Sequence, residues 1–156
     1  MSSTPNEYRP EGSPLTKAGV RCFNAPGAST EFAEYGNLSN AVTVPASATI
    51  VHITGQLGVD ETGMPIRDVR QQLRAAFLSV ERNLKTAGAK DGWKNVYKCV
   101  AYHSPDLNEE RLAIYAELIK EFCGTNKPSQ TSVSVPTLWQ GAHIELTVEA
   151  VIPADG

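Results

Sequence analysis

The segment AHIELTVEAV, residues 142–151, changes character at every step from 142 to 150. Ala142, Ile144, Leu146, Val148 and Ala150 are small or apolar, whereas His143, Glu145, Thr147 and Glu149 are polar. Successive side chains of a strand point to opposite faces, so this is a β-strand with one face that must be covered and one that need not be. Two segments have the period to supply the cover. Over residues 69–87, Val69, Leu73, Ala76, Phe77, Val80, Leu84 and Ala87 recur three or four apart. Asp68 stands at the N-cap position of that helix, and Gly88 lies just past its end. A second helix opens at Asn108, carries Leu112, Tyr115, Leu118, Ile119 and Phe122 on one stripe, and stops at Gly124. Burial of apolar area is worth roughly 25 cal/mol per Å². Both stripes are therefore expected on the apolar face of the final strand.

Four further segments read as strands. AVTV (41–44) and TIVHIT (49–54) are β-branched runs joined through PASA in the manner of a hairpin, and NVYKCVAYH (95–103) and SQTSVSV (129–135) follow the two helices. The order is β-β-α-β-α-β-β, an α+β domain with one helical layer. In SQTSVSV the Val133 side is expected beneath the helices. Gln130, Ser132 and Ser134 are then expected on the open face beside Glu145. Residues 1–30, rich in Pro, Gly, Ser and Thr, read as an arm or extension, and residues 31–156 as a single domain.

Composition narrows the function. Of 156 residues, 14 are Lys or Arg and 17 Asp or Glu, for a net charge of −3. The basic residues are scattered and aromatics make up only 7%, so neither a phosphate-tracking stripe nor a base-stacking platform is present. Cys22, Cys99 and Cys123 are an odd set without a C-x-x-C spacing, which suits a reducing compartment and gives no cysteine zinc site. His52, His103 and His143 have no metal-ligand spacing, so no metal is expected. No run approaches the roughly 20 apolar residues of a membrane span. The expectation is a soluble, cytoplasmic protein without a cofactor. Gly55 serves either a bend or a ligand-facing backbone, and Trp139 is either a pocket wall or an interface anchor. His143, on the face assigned to Glu145, offers a Glu–His proton relay.

An ordered set of short motifs carries a resemblance. ITGQ (53–56), KTAGA (85–89), NVYKCVAYHSPDLNE, KPSQTSVSV and HIELTVEAV together resemble the Rid (YjgF) family over residues 38–152. The resemblance implies a chorismate-mutase-like fold, with one mixed sheet and both helices on one face. It implies a homotrimer whose open sheet faces pack around the threefold axis, with small carboxylate-bearing metabolites bound in clefts between subunits. Archetypal members hydrolyse 2-imino or 2-enamino acids without metal or organic cofactor; endoribonuclease and translation-inhibitor activities have also been ascribed to members.

Carried over position by position, Gly55 and Gln56 match the family's S-G-Q signature, with Thr54 for the serine. Glu145 matches the glutamate held to orient the attacking water. Two positions depart. Gln130 stands where the archetype has a carboxylate-binding arginine, with Ser132 at a position often held by cysteine. Leu38 stands where the family has a tyrosine, and Tyr35, three residues upstream, is the candidate substitute. A neutral amide binds a carboxylate about 1–2 kcal/mol more weakly than a guanidinium does. Efficient 2-imino-acid hydrolysis is therefore not expected. The reading is a trimer acting on an imine, enamine or carbonyl-type intermediate, with Glu145 catalytic and Gly55, Gln56, Gln130, Ser132, Leu38, Tyr35 and Trp139 about the ligand. The alternatives are a non-catalytic metabolite-binding or protein-interaction trimer and, behind it, an endoribonuclease.

Overall fold

The computed structural model of the chain describes residues 7–154. The first six residues of the predicted arm and the last two of the predicted domain lie outside them. The chain forms β1 (Glu7–Tyr8), α1 (Pro14–Lys17), β2 (Arg21–Phe23), α2 (Ala28–Tyr35), β3 (Ala41–Thr43), β4 (Thr49–Leu57), α3 (Val69–Thr86), β5 (Val96–His103), α4 (Glu109–Cys123), β6 (Ser129–Ser134) and β7 (Ile144–Ile152). The main sheet runs β4-β7-β5-β6. It is mixed, because β7 is antiparallel to both β4 and β5, and β6 is parallel to β5. Helices α3 and α4 cover one face, so the α+β architecture read from the sequence is the one observed.

The helix boundaries follow their caps. Asp68 accepts a hydrogen bond from the Gln71 amide at 2.8 Å and Asn108 one from the Arg111 amide at 2.9 Å, each satisfying a free first-turn N–H. Gly88 and Gly124 take positive φ, 99° and 60°, just beyond the C-termini. Leu73, Ala76, Phe77, Val80 and Leu84 of α3 are fully buried on Ile144, Leu146, Val148 and Ala150 of β7 and their neighbours. Phe77 stacks on Trp93 with ring centroids 4.7 Å apart, and the indole N–H donates to the Phe77 carbonyl at 2.9 Å. On α4 the buried stripe includes Ile114 in place of the predicted Leu112, which is 41% exposed. Gly58 lets α3 settle on the end of β4: a Cβ there would stand 1.8 Å from the Gln72 carbonyl oxygen.

Two expectations fail in detail. The strands 41–43 and 49–57 do not form a hairpin. β3 pairs with β2 in a separate three-stranded sheet, β1-β2-β3, while β4 pairs with β7. Leu15, Val20 and Cys22 from this N-terminal unit cluster with Val151, Ile50 and Tyr97, covering one end of the face that the helices leave open.

The second failure concerns β6, whose faces are reversed. Cys99, Ala101 and His103 of β5 are buried on the helical side, and their partners across the parallel ladder are Gln130, Ser132 and Ser134. Thr131 and Val133 accordingly share the open face with Val100 and Tyr102. The cause is that β6 is an edge strand, and polar groups rather than a helix stripe meet its inner face. Helix α2 ends with Asn37 in the left-handed region, φ 51°, and the Leu38 amide bonding back to the Ala33 carbonyl at 2.9 Å. This turn presents the carbonyls of Gly36 and Asn37 to the Gln130 amide nitrogen, at 3.3 and 3.1 Å. The Gln130 carbonyl oxygen accepts from the buried Tyr115 hydroxyl at 3.0 Å. Burial holds the Tyr115 phenol well above its ordinary pKa, so it stays a donor.

Beside Tyr115 lies His103, fully buried, with neither ring nitrogen partnered by another described residue. Burial, and then the Arg111 charge, lower its pKa to about 4. The unfolded chain takes up this proton near pH 6.5 and the folded chain only near 4, so stability is full above 6.5 and falls as pH drops through that window. The expected loss is roughly 2–3 kcal/mol, read from urea midpoints between pH 7 and 4, and His103→Leu should flatten the slope. A second expectation concerns Gln130. A guanidinium has no acceptor for the Tyr115 hydroxyl, so Gln130→Arg and Gln130→Ala should each cost about 1–3 kcal/mol by the same assay. An unchanged midpoint in Gln130→Arg would remove the clamp from the account.

Candidate functional site

The open face of the main sheet is where the polar half of β7 points. Along β7 it shows Glu145, Thr147 and Glu149, each half-buried, before Val151 disappears under the N-terminal unit. Its neighbours are His52, Thr54 and Gly55 on β4 and Lys98, Val100 and Tyr102 on β5.

Glu145 and Gly55 meet here. Between β4 and β7 the ladder pairs Ile53 with Val148 and then Gln56 with Leu146, so Thr54 and Gly55 both lie opposite Thr147. This bulge swings Gly55 against the Glu145 side chain. A Cβ on Gly55 would stand 1.8 Å from the Glu145 carboxylate oxygen. The glycine is therefore required by close approach, since its φ is not in the left-handed region. Among the described residues Glu145 forms no ion pair. Tyr102 lies directly across from it on β5.

The bulge also turns Gln56 to the other side. Its side-chain oxygen accepts from Ser79 at 2.7 Å and Asn83 at 3.1 Å, both on α3, and its amide returns to the Thr54 carbonyl at 3.0 Å. Gln56 thus shapes the bulge from beneath. Gln130 and Ser132 likewise occupy the helical side of β6, away from Glu145. Leu38 packs over Gly36 at the end of α2, and Tyr35 on the same helix is 82% exposed. Trp139, 52% exposed, opens the short 3₁₀ turn leading into β7. His143 turns to Ser104 Oγ at 3.3 Å and Asp106 at 3.6 Å, so the structure gives it no contact with Glu145 and no relay to it.

Residues passed over in the sequence reading complete the face. Glu149 accepts from the Tyr97 hydroxyl at 2.7 Å and Lys98 Nζ at 3.0 Å, and His52 lies 3.9 Å away. Burial pushes the Glu149 carboxyl up, but the bonds from Tyr97 and Lys98 outweigh it and hold the group below its ordinary pKa. Between this cluster and Tyr102 is a concavity of about 230 Å³, floored by Val100 and Thr147. Its signal in the sequence is the set Lys98, Val100 and Tyr102 at alternate positions of β5, which pairs with the polar half of β7 once the register is known. No three His, Cys, Asp or Glu among the described residues gather as a metal site. No helix among them is long and apolar enough to cross a membrane.

Comparison with known proteins agrees with this architecture. A family model described as Endoribonuclease L-PSP matches residues 28–152. The RutC family protein YjgH of Escherichia coli K12 is 29% identical over 109 residues, 69% of this chain and 79% of that protein. Among solved structures, the Rid-family protein YyfB of Yersinia pestis superimposes with a TM-score of 0.73 at 21% identity, covering 85% of this chain and 98% of that one. RidA of the Antarctic bacterium Psychrobacter sp. PAMC 21119 gives 0.60 at 25% identity, covering 83% and 94%. The family match takes in α2 through β7, the whole main sheet and both covering helices, and the chain belongs to the Rid (YjgF) family, the Endoribonuclease L-PSP proteins.

Proposed function

We propose that the open sheet face around Glu145 is an acid/base site for small imine, enamine or carbonyl-type intermediates. The reading places it in a cleft between the subunits of a cytoplasmic homotrimer, as the family resemblance implies. One observation carries it: a carboxylate with no ion partner among the described residues is seated on a glycine bulge, on the sheet face opposite α3 and α4. A carboxylate in that position takes a proton from water as its oxygen attacks a C=N carbon and returns it to the leaving nitrogen. The close approach at Gly55 limits the conformations open to Glu145, as a positioned base requires.

Gln130 does not hold a substrate carboxylate in this reading. Its amide already donates to two carbonyls and its oxygen already accepts from Tyr115. Gly55, Thr147 and Tyr102 are the ligand's neighbours instead, while Gln56, Leu38, Gln130 and Ser132 shape the scaffold. The engagement of Gln130 also favours a second reading, a trimer that binds a metabolite without turnover. A ligand that raises the melting temperature yet is recovered unchanged supports that alternative. Endoribonuclease activity is the reading least favoured by a net charge of −3.

The test is imine hydrolysis followed by trapping the unreacted imine with semicarbazide. Glu145→Gln should lower the protein-dependent rate at least 100-fold, the lower end of general-base contributions. Gly55→Ala should lower it by about tenfold or more through displacement of the carboxylate, an effect in the range expected for a misplaced catalytic group. Equal rates for wild type and Glu145→Gln remove Glu145 from the chemistry.

A further inference from the structure

The charges on the open face point to a substrate class, an inference that rests on the acid/base reading above. Glu145 and Glu149 project from the same side of β7, four residues apart, which is roughly 13 Å of extended strand. The ammonium of Lys98 is held by Glu149, and the Tyr97 hydroxyl occupies the other oxygen of that carboxylate. His52, across the ladder from Glu149 and 3.9 Å from its carboxylate, lines the same concavity as Val100, Tyr102 and Thr147. The arginines with ion partners are committed elsewhere: Arg70 and Arg74 bind Glu117 and Glu121 across the two helices, Arg21 binds Glu7, and Arg111 binds Asp106. Gln130, at the position of the family's arginine, faces the opposite side of the sheet. Among the described residues this face offers an anion only Lys98 and His52, both already beside Glu149, and offers a cation the Glu145 carboxylate, which has no ion partner.

We propose that the site takes a small iminium ion that carries no carboxylate, an imine derived from an amine and not from an amino acid. The N–H₂⁺ group lies at the Glu145 carboxylate, and the organic group lies over Tyr102, Val100 and Thr147 in the adjoining concavity. A carboxylate on the same substrate would approach Glu145 and Glu149 where, among the described residues of the subunit, the nearby cations Lys98 and His52 already sit at Glu149. The reaction balances without a cofactor. Glu145 takes a proton from water while the water oxygen bonds to the iminium carbon and the C=N π pair moves to nitrogen, giving a neutral carbinolamine. The protonated Glu145 then delivers that proton to nitrogen. The C–N bond breaks, the hydroxyl proton passes to the Glu145 carboxylate, and an aldehyde and ammonia leave, the ammonia taking the last proton as ammonium.

A matched pair of substrates tests this. Leucine with a flavin amino-acid oxidase releases a 2-imino acid, and 3-methylbutylamine with a flavin amine oxidase releases the same skeleton without the carboxylate. With the full-length protein, kcat/KM is expected to be at least tenfold higher for the amine-derived imine, and that acceleration should vanish in Glu145→Gln. Equal or faster Glu145-dependent hydrolysis of the leucine-derived imine overturns the substrate class while leaving the acid/base reading intact. Acceleration of neither imine overturns both.

Discussion

Everything in this fold is referred to the burial of one face of β7. The strand sits between β4 and β5, antiparallel to both, and its residues Ile144, Leu146, Val148 and Ala150 lie beneath α3 and α4 with almost no exposure. A slip of one residue would put Glu145, Thr147 and Glu149 into that core and the apolar set into water. The cost of burying unpaired carboxylates there would exceed any gain from re-pairing the ladder. The register is thereby fixed, and with it the side of the sheet on which Glu145 stands. The N-terminal unit then covers the far end of that face through Leu15, Val20 and Cys22 on Val151, leaving the stretch around Glu145 and Thr147 free of helical cover.

What could be read from the sequence tracks how strongly each element is buried. Helices α3 and α4 have wide apolar stripes and side-chain caps at Asp68 and Asn108, so both their period and their starts are visible. The alternation of β7 is visible because it is covered on one side only. β6 misleads because it is an edge strand: its apolar side, Val133, is exposed, and its polar side meets the carbonyls of a helix end. No pattern within SQTSVSV reports that neighbour. Helix α2 is hidden for a related reason, since Ala33 is its only buried residue and eight residues give no stripe to count.

The candidate site divides along the same line. Glu145 and Gly55 lie on central strands whose faces were legible, and the structure brings them into contact through a bulge. Gln130 and Ser132 lie on the misread edge and fall on the other side of the sheet. Gln130 is suited to its place because an amide both donates and accepts, satisfying two carbonyls and a buried phenol together. An arginine there would leave the Tyr115 hydroxyl without its acceptor. The departure from the family's arginine is thus coupled to the packing of α2 and α4 against β6 as well as to ligand choice.

The central claim is that ligands engage the Glu145 face and not the Gln130 face. Methyl NMR with benzamidine, a stable cation that resembles an iminium, tests it most directly. The account predicts that shifts concentrate on the methyls of Val100, Thr147 and Leu57 and largely disappear in Glu145→Gln. Shifts centred instead on Leu38, Leu118 and other methyls near Gln130, unchanged by Glu145→Gln, would contradict it.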